Sequence, residues 1–198
     1  MRLRHNTTSP FVRKVMVVAK ELGADGEMDL VPTDVWAPDS DISNDNPLKK
    51  VPALMTDEGT FVDSSLICRY LNARAGGALV PHDGQGWRTL QLYELADGIM
   101  EATVACVVET LRREKEQISA PLLKRHKARI RDTLEAIESD YALDPETVDI
   151  ATITLGVALG YLDFRLPDFD WRTGHPRLTA FYEGFSARPS MQATIPHG

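Results

Sequence analysis

The chain has 198 residues, enough for one large domain or two small ones, with roughly 70% of the unfolded surface buried on folding. It is 43% apolar and 26% charged, and 29 acidic against 22 basic residues give a formal charge of −7. That balance excludes the broad basic face that a nucleic acid or an anionic membrane requires, while a small anionic ligand needs only one local positive spot.

Met1 to His5 reads as a short strand. Ser9 suits an N-cap and Pro10 the first helical position, where its missing N–H costs nothing. Phe11, Val15, Val18, Ala19 and Leu22 then recur at helical spacing, which predicts an amphipathic helix ending at Gly23. Met28 to Val31 reads as a second strand, and the polar stretch Pro32 to Asn46 as a loop with room for one helical turn. Val51 to Met55 and Thr60 to Val62 are two short strands about a turn at Asp57-Glu58-Gly59. Asp63 caps a helix whose apolar face is Leu66, Ile67, Tyr70 and Leu71. The order β-α-β, crossover, β-β-α implies both parallel and antiparallel pairing.

Residues 76–85 are rich in turn formers and read as a linker, including Pro81-His82-Asp83-Gly84. Beyond it every pattern is helical. Ala96, Ile99, Met100, Thr103, Val104, Val107, Val108 and Leu111 form one stripe, with Glu94, Asp97 and Glu101 on its polar flank. Leu123, Ile130, Leu134, Ile137 and Tyr141 mark the next helix, and its basic run from Lys124 to Arg131 reads as a solvated face. Ile150 to Leu162 is apolar nearly all round, as a central bundle helix must be. Pro176 to Phe185 and a short segment from Pro189 complete the helices. The expected division is 1–75, a linker at 76–85, and an all-helical domain over 86–198.

Cys68 and Cys106 are the only cysteines, too few and too far apart for a disulfide scaffold, a four-ligand zinc site or a dithiol redox pair. Met1 to Asn6 lacks the apolar centre of a signal peptide, and no run approaches the ~18 apolar residues of a membrane span. A cytoplasmic protein is expected.

The stretch Asn46-Pro47-Leu48-Lys49-Lys50-Val51-Pro52-Ala53-Leu54 organises the rest. A proline opening an apolar strand has no N–H for the ladder. If the Val51–Pro52 bond is cis, the N–H and C=O of Val51 face outward and can pair with a short extended peptide, as an added strand would. The sequence leaves the isomer open.

Four motifs then carry a resemblance. Ser9-Pro10-Phe11-Val12-Arg13-Lys14 resembles the first-helix motif of the serine-type cytosolic glutathione S-transferases, including a bacterial subgroup and the plant tau class. Asn46-Pro47 through Leu54 is similar to their cis-proline segment, Asp63-Ser64 to the acidic-Ser pair opening a later helix, and Gly160-Tyr161-Leu162-Asp163-Phe164-Arg165 to the end of the central helix in the bacterial subgroup. The resemblance implies α/β plus all-α architecture: an N-terminal thioredoxin-like domain, then a C-terminal helical bundle. Two positions depart from it. Lys49 stands where the motif has Gly, at a cost on the order of 1 kcal/mol if the site needs positive φ. Glu146 stands where a Ser or Thr would cap the central helix three residues before Asp149, so either Thr147 caps or the helix start is weakened.

What the resemblance implies chemically can be set against the residues. Glutathione offers two carboxylates, an amine and a thiol, and the thiolate is the nucleophile. Ser9 is the expected catalytic residue, donating a hydrogen bond to the sulfur anion, with Thr8 as the alternative donor and Arg13 a minor contributor. A serine hydroxyl is far too weak a base to take the thiol proton. Lys50 would face the glycine carboxylate, with Lys49 able to share that task; Val51 would pair with the peptide backbone; Asp63 would take the α-amino group and Ser64 the adjacent carboxylate. Phe11, Trp36, Tyr93, Asp97 and Met100 are candidate walls for a small hydrophobic electrophile. No metal is expected, and glutathione enters as cosubstrate. The implied function is conjugation in detoxification by a homodimer, with no nucleic-acid or membrane partner. Peroxide reduction or isomerisation by the same thiolate, and a non-catalytic binding or regulatory protein on the same fold, are the competing readings. Isomerisation is disfavoured because the chain lacks the Ser-Ser-Cys first-helix motif of that class, and disulfide reduction because position 9 is not Cys and no second thiol stands nearby.

Overall fold

In the computed structural model, which describes residues 1–82 and 84–198, Leu3 is fully buried between Leu30 and Leu54 in a mixed sheet. The strands are β1 (Arg2–His5), β2 (Asp29–Pro32), β3 (Ala53–Thr56) and β4 (Gly59–Val62), in spatial order β2-β1-β3-β4. The helices are α1 (Pro10–Glu21), α2 (Ser64–Arg74), α3 (Trp87–Leu111), α4 (Ala120–Asp140), α5 (Ile150–Arg165), α6 (Pro176–Ser186) and α7 (Pro189–Gln192). Two compact units result: Met1–Val80 with Pro189–Gly198, and Pro81–Arg188. The last ten residues thus join the α/β unit, whereas the sequence pattern assigns them to the helical domain. Of the expected linker, Asp83 lies outside the described residues.

In the first unit β1 runs parallel to β2 and antiparallel to β3, and β3–β4 is a hairpin closed by Asp57-Glu58, with Gly59 already paired to Thr56. Helix α1 buries Val12, Val15, Val18 and Ala19, the i, i+3, i+6 and i+7 positions of one face, and packs on α2. Each such valine is worth about 1.5–3 kcal/mol in burial. The helix ends as expected, with Gly23 at φ 66° carrying the chain out of the last turn. On α2 the buried residues are Ser64, Ile67, Cys68, Leu71 and Asn72, so the apolar face sits one position round from the expected one. Leu66 is 48% exposed, and Tyr70 is half-buried, stacking on Phe61 at 4.3 Å.

In the second unit α3 packs against α4 and α5. Every residue of α5 from Ile150 to Leu162 is buried, which explains the lack of a polar face in its sequence. Leu111 closes the predicted stripe but is 64% exposed, because α3 ends there. The basic side chains Lys124, Arg125, Lys127, Arg129 and Arg131 of α4 are all exposed, a solvated face. At the far end of α5, Asp163 takes the Trp171 indole N–H at 2.7 Å and a bidentate pair from Arg172 at 2.7 Å each. The expected weakness at the start of α5 is absent. Asp149 itself is the cap: one carboxylate oxygen accepts from the amides of Ala151 and Thr152 at 2.9 Å each, and the Thr152 hydroxyl accepts from the Asp149 amide at 3.0 Å. This reciprocal box makes a Ser or Thr upstream unnecessary. Among the described residues no helix is long and apolar enough to cross a membrane.

Asp149→Ala should therefore destabilise the protein by about 1 kcal/mol, with Asp149→Asn losing less, whereas Thr147→Ala should be close to neutral. Urea denaturation midpoints of the three variants check this.

Candidate functional site

The register of the sheet decides which residues meet. Arg4 pairs with Ala53, Ala53 with Val62, and on the other side Arg4 pairs with Val31. The C-terminal end of β1, the N-terminal end of β3 and the C-terminal end of β4 therefore lie side by side, with two strand spacings, about 10 Å, from the first to the last. Asn6–Ser9, Lys49–Pro52 and Asp63–Ser64 leave the sheet from that one end. The end of β2 opens there too, leading towards Trp36. Sequence separation of more than fifty residues is thus reduced to neighbouring strand ends.

Ser9 caps α1 with φ −80° and ψ 124°, and its Oγ accepts from the Val12 amide at 3.3 Å. Its hydroxyl proton has no acceptor among the described residues. Capping and donation therefore do not compete: one uses a lone pair, the other the O–H. The Phe11 amide in the same first turn is also unpaired among the described residues, adding to the positive end of the helix. Thr8 directs its hydroxyl to Asn6 Oδ1 at a long 3.5 Å. Arg13 lies one helical turn beyond Ser9, its amide donating to the Ser9 carbonyl at 3.0 Å. It is buried and its guanidinium reaches the Met191 carbonyl at 3.2 Å and Thr194 Oγ1 at 3.5 Å.

The Val51–Pro52 bond is cis. Neither the N–H nor the C=O of Val51 has a hydrogen-bond partner among the described residues. The approach to it is held by Asn46, 1% exposed, whose side chain donates to the Lys50 carbonyl at 2.7 Å and accepts from the Leu48 amide at 2.9 Å. The motif names this asparagine without revealing its task; an Asn preceding a Pro-containing loop is the signal that would have found it. Lys49 sits at φ 55°, the left-handed conformation that glycine would take without strain. Lys49 and Lys50 are both exposed.

A second tie was invisible in the sequence. Arg4, buried in β1, grips Asp41 with two hydrogen bonds of 2.8 and 3.0 Å and Asp45 with one of 2.7 Å. These bonds fix the loop leading into Asn46 to the central strand. They also hold the Asp41 carboxyl below the usual carboxylate range and raise the Arg4 guanidinium further above its already high value.

Asp63 is the N-cap of α2, accepting from the Ser65 amide at 2.8 Å, and has φ 72°. Lys49 and Asp63 are the non-glycine residues with positive φ among those described, and both flank this end of the sheet. Such conformations cost of order 1–3 kcal/mol and gather where function fixes the backbone. Ser64 is buried and its hydroxyl has no hydrogen-bond partner among the described residues.

Of the expected walls, Phe11 is half-buried with the Lys14 ammonium 5.8 Å from its ring centroid, and Trp36 is 53% exposed. Tyr93, Asp97 and Met100 belong to α3 in the second unit. Met100 is fully buried and Tyr93 nearly so; they serve the helical core in this structure, and of the three only Asp97 keeps a partly open side chain. Among the described residues no group of three or more His, Cys, Asp or Glu is placed to hold a metal ion.

Comparison with known proteins bears on this arrangement. Residues 8–74 match the family model for the glutathione S-transferase N-terminal domain and residues 120–184 that for the glutathione S-transferase C-terminal domain. An uncharacterised GST-like protein of Escherichia coli K12, YibF, is 35% identical over 99% of this chain and 98% of its own. A glutathione transferase family member from Pseudomonas fluorescens Pf-5, solved with bound glutathione, is 41% identical, covers 100% of this chain and 99% of its own, and superposes with a TM-score of 0.93. A further structure from that organism, with bound S-(propanoic acid)-glutathione, is also 41% identical, covers 100% of both chains and has a TM-score of 0.91. The chain belongs to the glutathione S-transferase family.

Two variants probe the frame around this end of the sheet. Lys49→Gly should raise stability by a few tenths to about 1 kcal/mol, because relief at positive φ outweighs the extra freedom of the unfolded chain; thermal midpoints read the gain. For Asp41 the folded pKa is depressed, so its stabilising contribution is present above the ordinary carboxylate pKa of about 4 and is lost as pH falls through the lower folded value. Asp41→Asn should be less stable than the parent at pH 6, and the gap should close towards pH 2, as followed by urea midpoints.

Proposed function

We propose that the protein is a glutathione transferase that joins the glutathione thiolate to a small hydrophobic electrophile. The observation that carries the reading is the convergence of three strand ends, bearing Ser9, Lys50–Val51 and Asp63–Ser64, within about 10 Å. An extended tripeptide spans about that length. Its backbone would pair with the N–H and C=O of Val51 as a short added strand. The glycine carboxylate would meet the exposed Lys50 as a point charge. At the other end Asp63 would take the α-amino group, and the Ser64 hydroxyl with the first amides of α2 the adjacent carboxylate. Asp63 keeps lone pairs for this beyond its capping bond.

The thiol would then lie at the N-terminus of α1. A free thiol of pKa about 8.5 must fall by ~1–2 units to be ionised at neutral pH, and each unit is 1.36 kcal/mol. The Ser9 O–H and the positive end of α1 are suited to supply this, the proton passing to water. The thiolate attacks the electrophilic carbon; a C–S bond forms, and halide leaves from an activated aryl halide. The S-substituted glutathione held by the Pseudomonas fluorescens relative is the kind of product such a reaction gives. Phe11 and Trp36 would line the electrophile's side. The subgroup is proposed to be the serine type, the setting cytoplasmic detoxification and the assembly a homodimer.

Ser9→Ala should lower kcat with an activated aryl chloride by roughly tenfold or more, the equivalent of at least one pKa unit on the thiol, while glutathione binding by calorimetry changes little. It should also cost about 1 kcal/mol of stability through the lost cap, and Ser9→Thr should recover most of both. Turnover by neither wild type nor variant, with glutathione bound by both, would leave a non-catalytic binding protein.

A further inference from the structure

The N-cap bond from Val12 to Ser9 Oγ is long, 3.3 Å, and constrains the hydroxyl weakly. The stronger restraint on Ser9 comes from behind. Asn6 Oδ1 accepts from the Ser9 amide at 2.8 Å and from the Thr8 amide at 3.3 Å, closing an Asx-type turn directly before the helix. The Thr8 hydroxyl, at 3.5 Å, points to the same oxygen. A single half-buried amide side chain therefore sets the backbone from which the Ser9 hydroxyl projects.

The loop so formed is in turn covered by the C-terminal segment of the first unit. Thr7 Oγ1 donates to the His197 carbonyl at 2.7 Å. A Cβ built on Gly198 would stand 3.3 Å from the Thr8 methyl and 3.7 Å from Thr7 Oγ1, so the segment lies directly on these two residues. It is anchored further along α1 as well: Arg13 holds Met191 and Thr194, and the Ser190 hydroxyl donates to Glu21. Contacts thus run from the loop before α1 to its last turn.

We propose that Asn6 is a positioning residue for Ser9, and that Thr7, through the His197 carbonyl, couples the C-terminal segment to the same turn. The proposal rests on the assignment of Ser9 to the glutathione sulfur. Asn6 touches no reacting atom; it acts by fixing where the Ser9 O–H points. Losing its acceptor frees the Thr8 and Ser9 amides to seek water and lets the hydroxyl swing off the sulfur.

The test is an ultraviolet titration of the thiolate of bound glutathione, alongside steady-state kinetics with an activated aryl chloride and thermal midpoints. Asn6→Ala should raise the bound thiol's pKa by about one unit and lower kcat roughly tenfold, with a small change in KM for glutathione. Asn6→Ser, which keeps a side-chain oxygen able to accept in such a turn, should restore most of both. Thr7→Val should shift the thiol in the same direction by about half as much, and Thr7→Ser should return it. A thiol pKa unmoved in Asn6→Ala, whether the thermal midpoint falls or not, overturns the positioning role. An unmoved pKa in Thr7→Val overturns the coupling to the C-terminal segment. If wild type bound to glutathione shows no thiolate absorbance below pH 8, both this inference and the assignment of Ser9 fall; if it does and the Asn6 variants match it, only this inference falls.

Discussion

The structure depends on one constraint, the register by which Arg4, Ala53 and Val62 lie abreast across three strands. Strand spacing is fixed by main-chain hydrogen bonding at about 4.8 Å, so segments leaving adjacent strand ends are brought within reach whatever their sequence separation. The order β2-β1-β3-β4, with β3 reversed, sends three C-terminal ends and one N-terminal end to the same side. A slip of one residue would turn Leu3 and Leu54 out of the core, so burial of those two leucines also protects the alignment of the loops.

The loops themselves have little regular structure and are held by side-chain hydrogen bonds. Asn46 satisfies two main-chain groups of the Leu48–Lys50 segment, and Arg4 draws in Asp41 and Asp45. A buried guanidinium is tolerated because every strong contact it makes is to a carboxylate, with bidentate geometry on Asp41. Two non-glycine residues at positive φ, Lys49 and Asp63, persist within this frame. Their strain is offset by surrounding structure that leaves the chain no other path.

The helical unit obeys a different logic. Its centre is α5, buried on all sides from Ile150 to Leu162, with both ends closed by aspartates: Asp149 through a reciprocal capping box and Asp163 through Trp171 and Arg172. Charge is placed only at the ends of α5, and the buried Thr154 hydroxyl between them is satisfied within the helix, donating back to the Ile150 carbonyl. Family membership extends over both units, since relatives 35% and 41% identical cover nearly the whole chain.

The sequence alone determined the elements and their class, because hydrophobic period and capping chemistry are local. Ser9-Pro10 opened a helix, Gly23 closed it, and an apolar run without a polar face marked the buried α5. It erred where a neighbour decided the outcome: Leu66 is exposed although it fits the helical period, Met100 belongs to the core, and Asp149 caps its helix without a Ser or Thr upstream. Of the site, the motif residues were legible one by one. Only the tertiary structure decided that Val51–Pro52 is cis, that Lys49 occupies a glycine conformation, that Arg4 and Asn46 hold the loop, and that Pro189–Gly198 returns to α1. Those are pairings between residues distant along the chain, and no local pattern encodes which partner a hydrogen-bonding group will find once the strands have aligned.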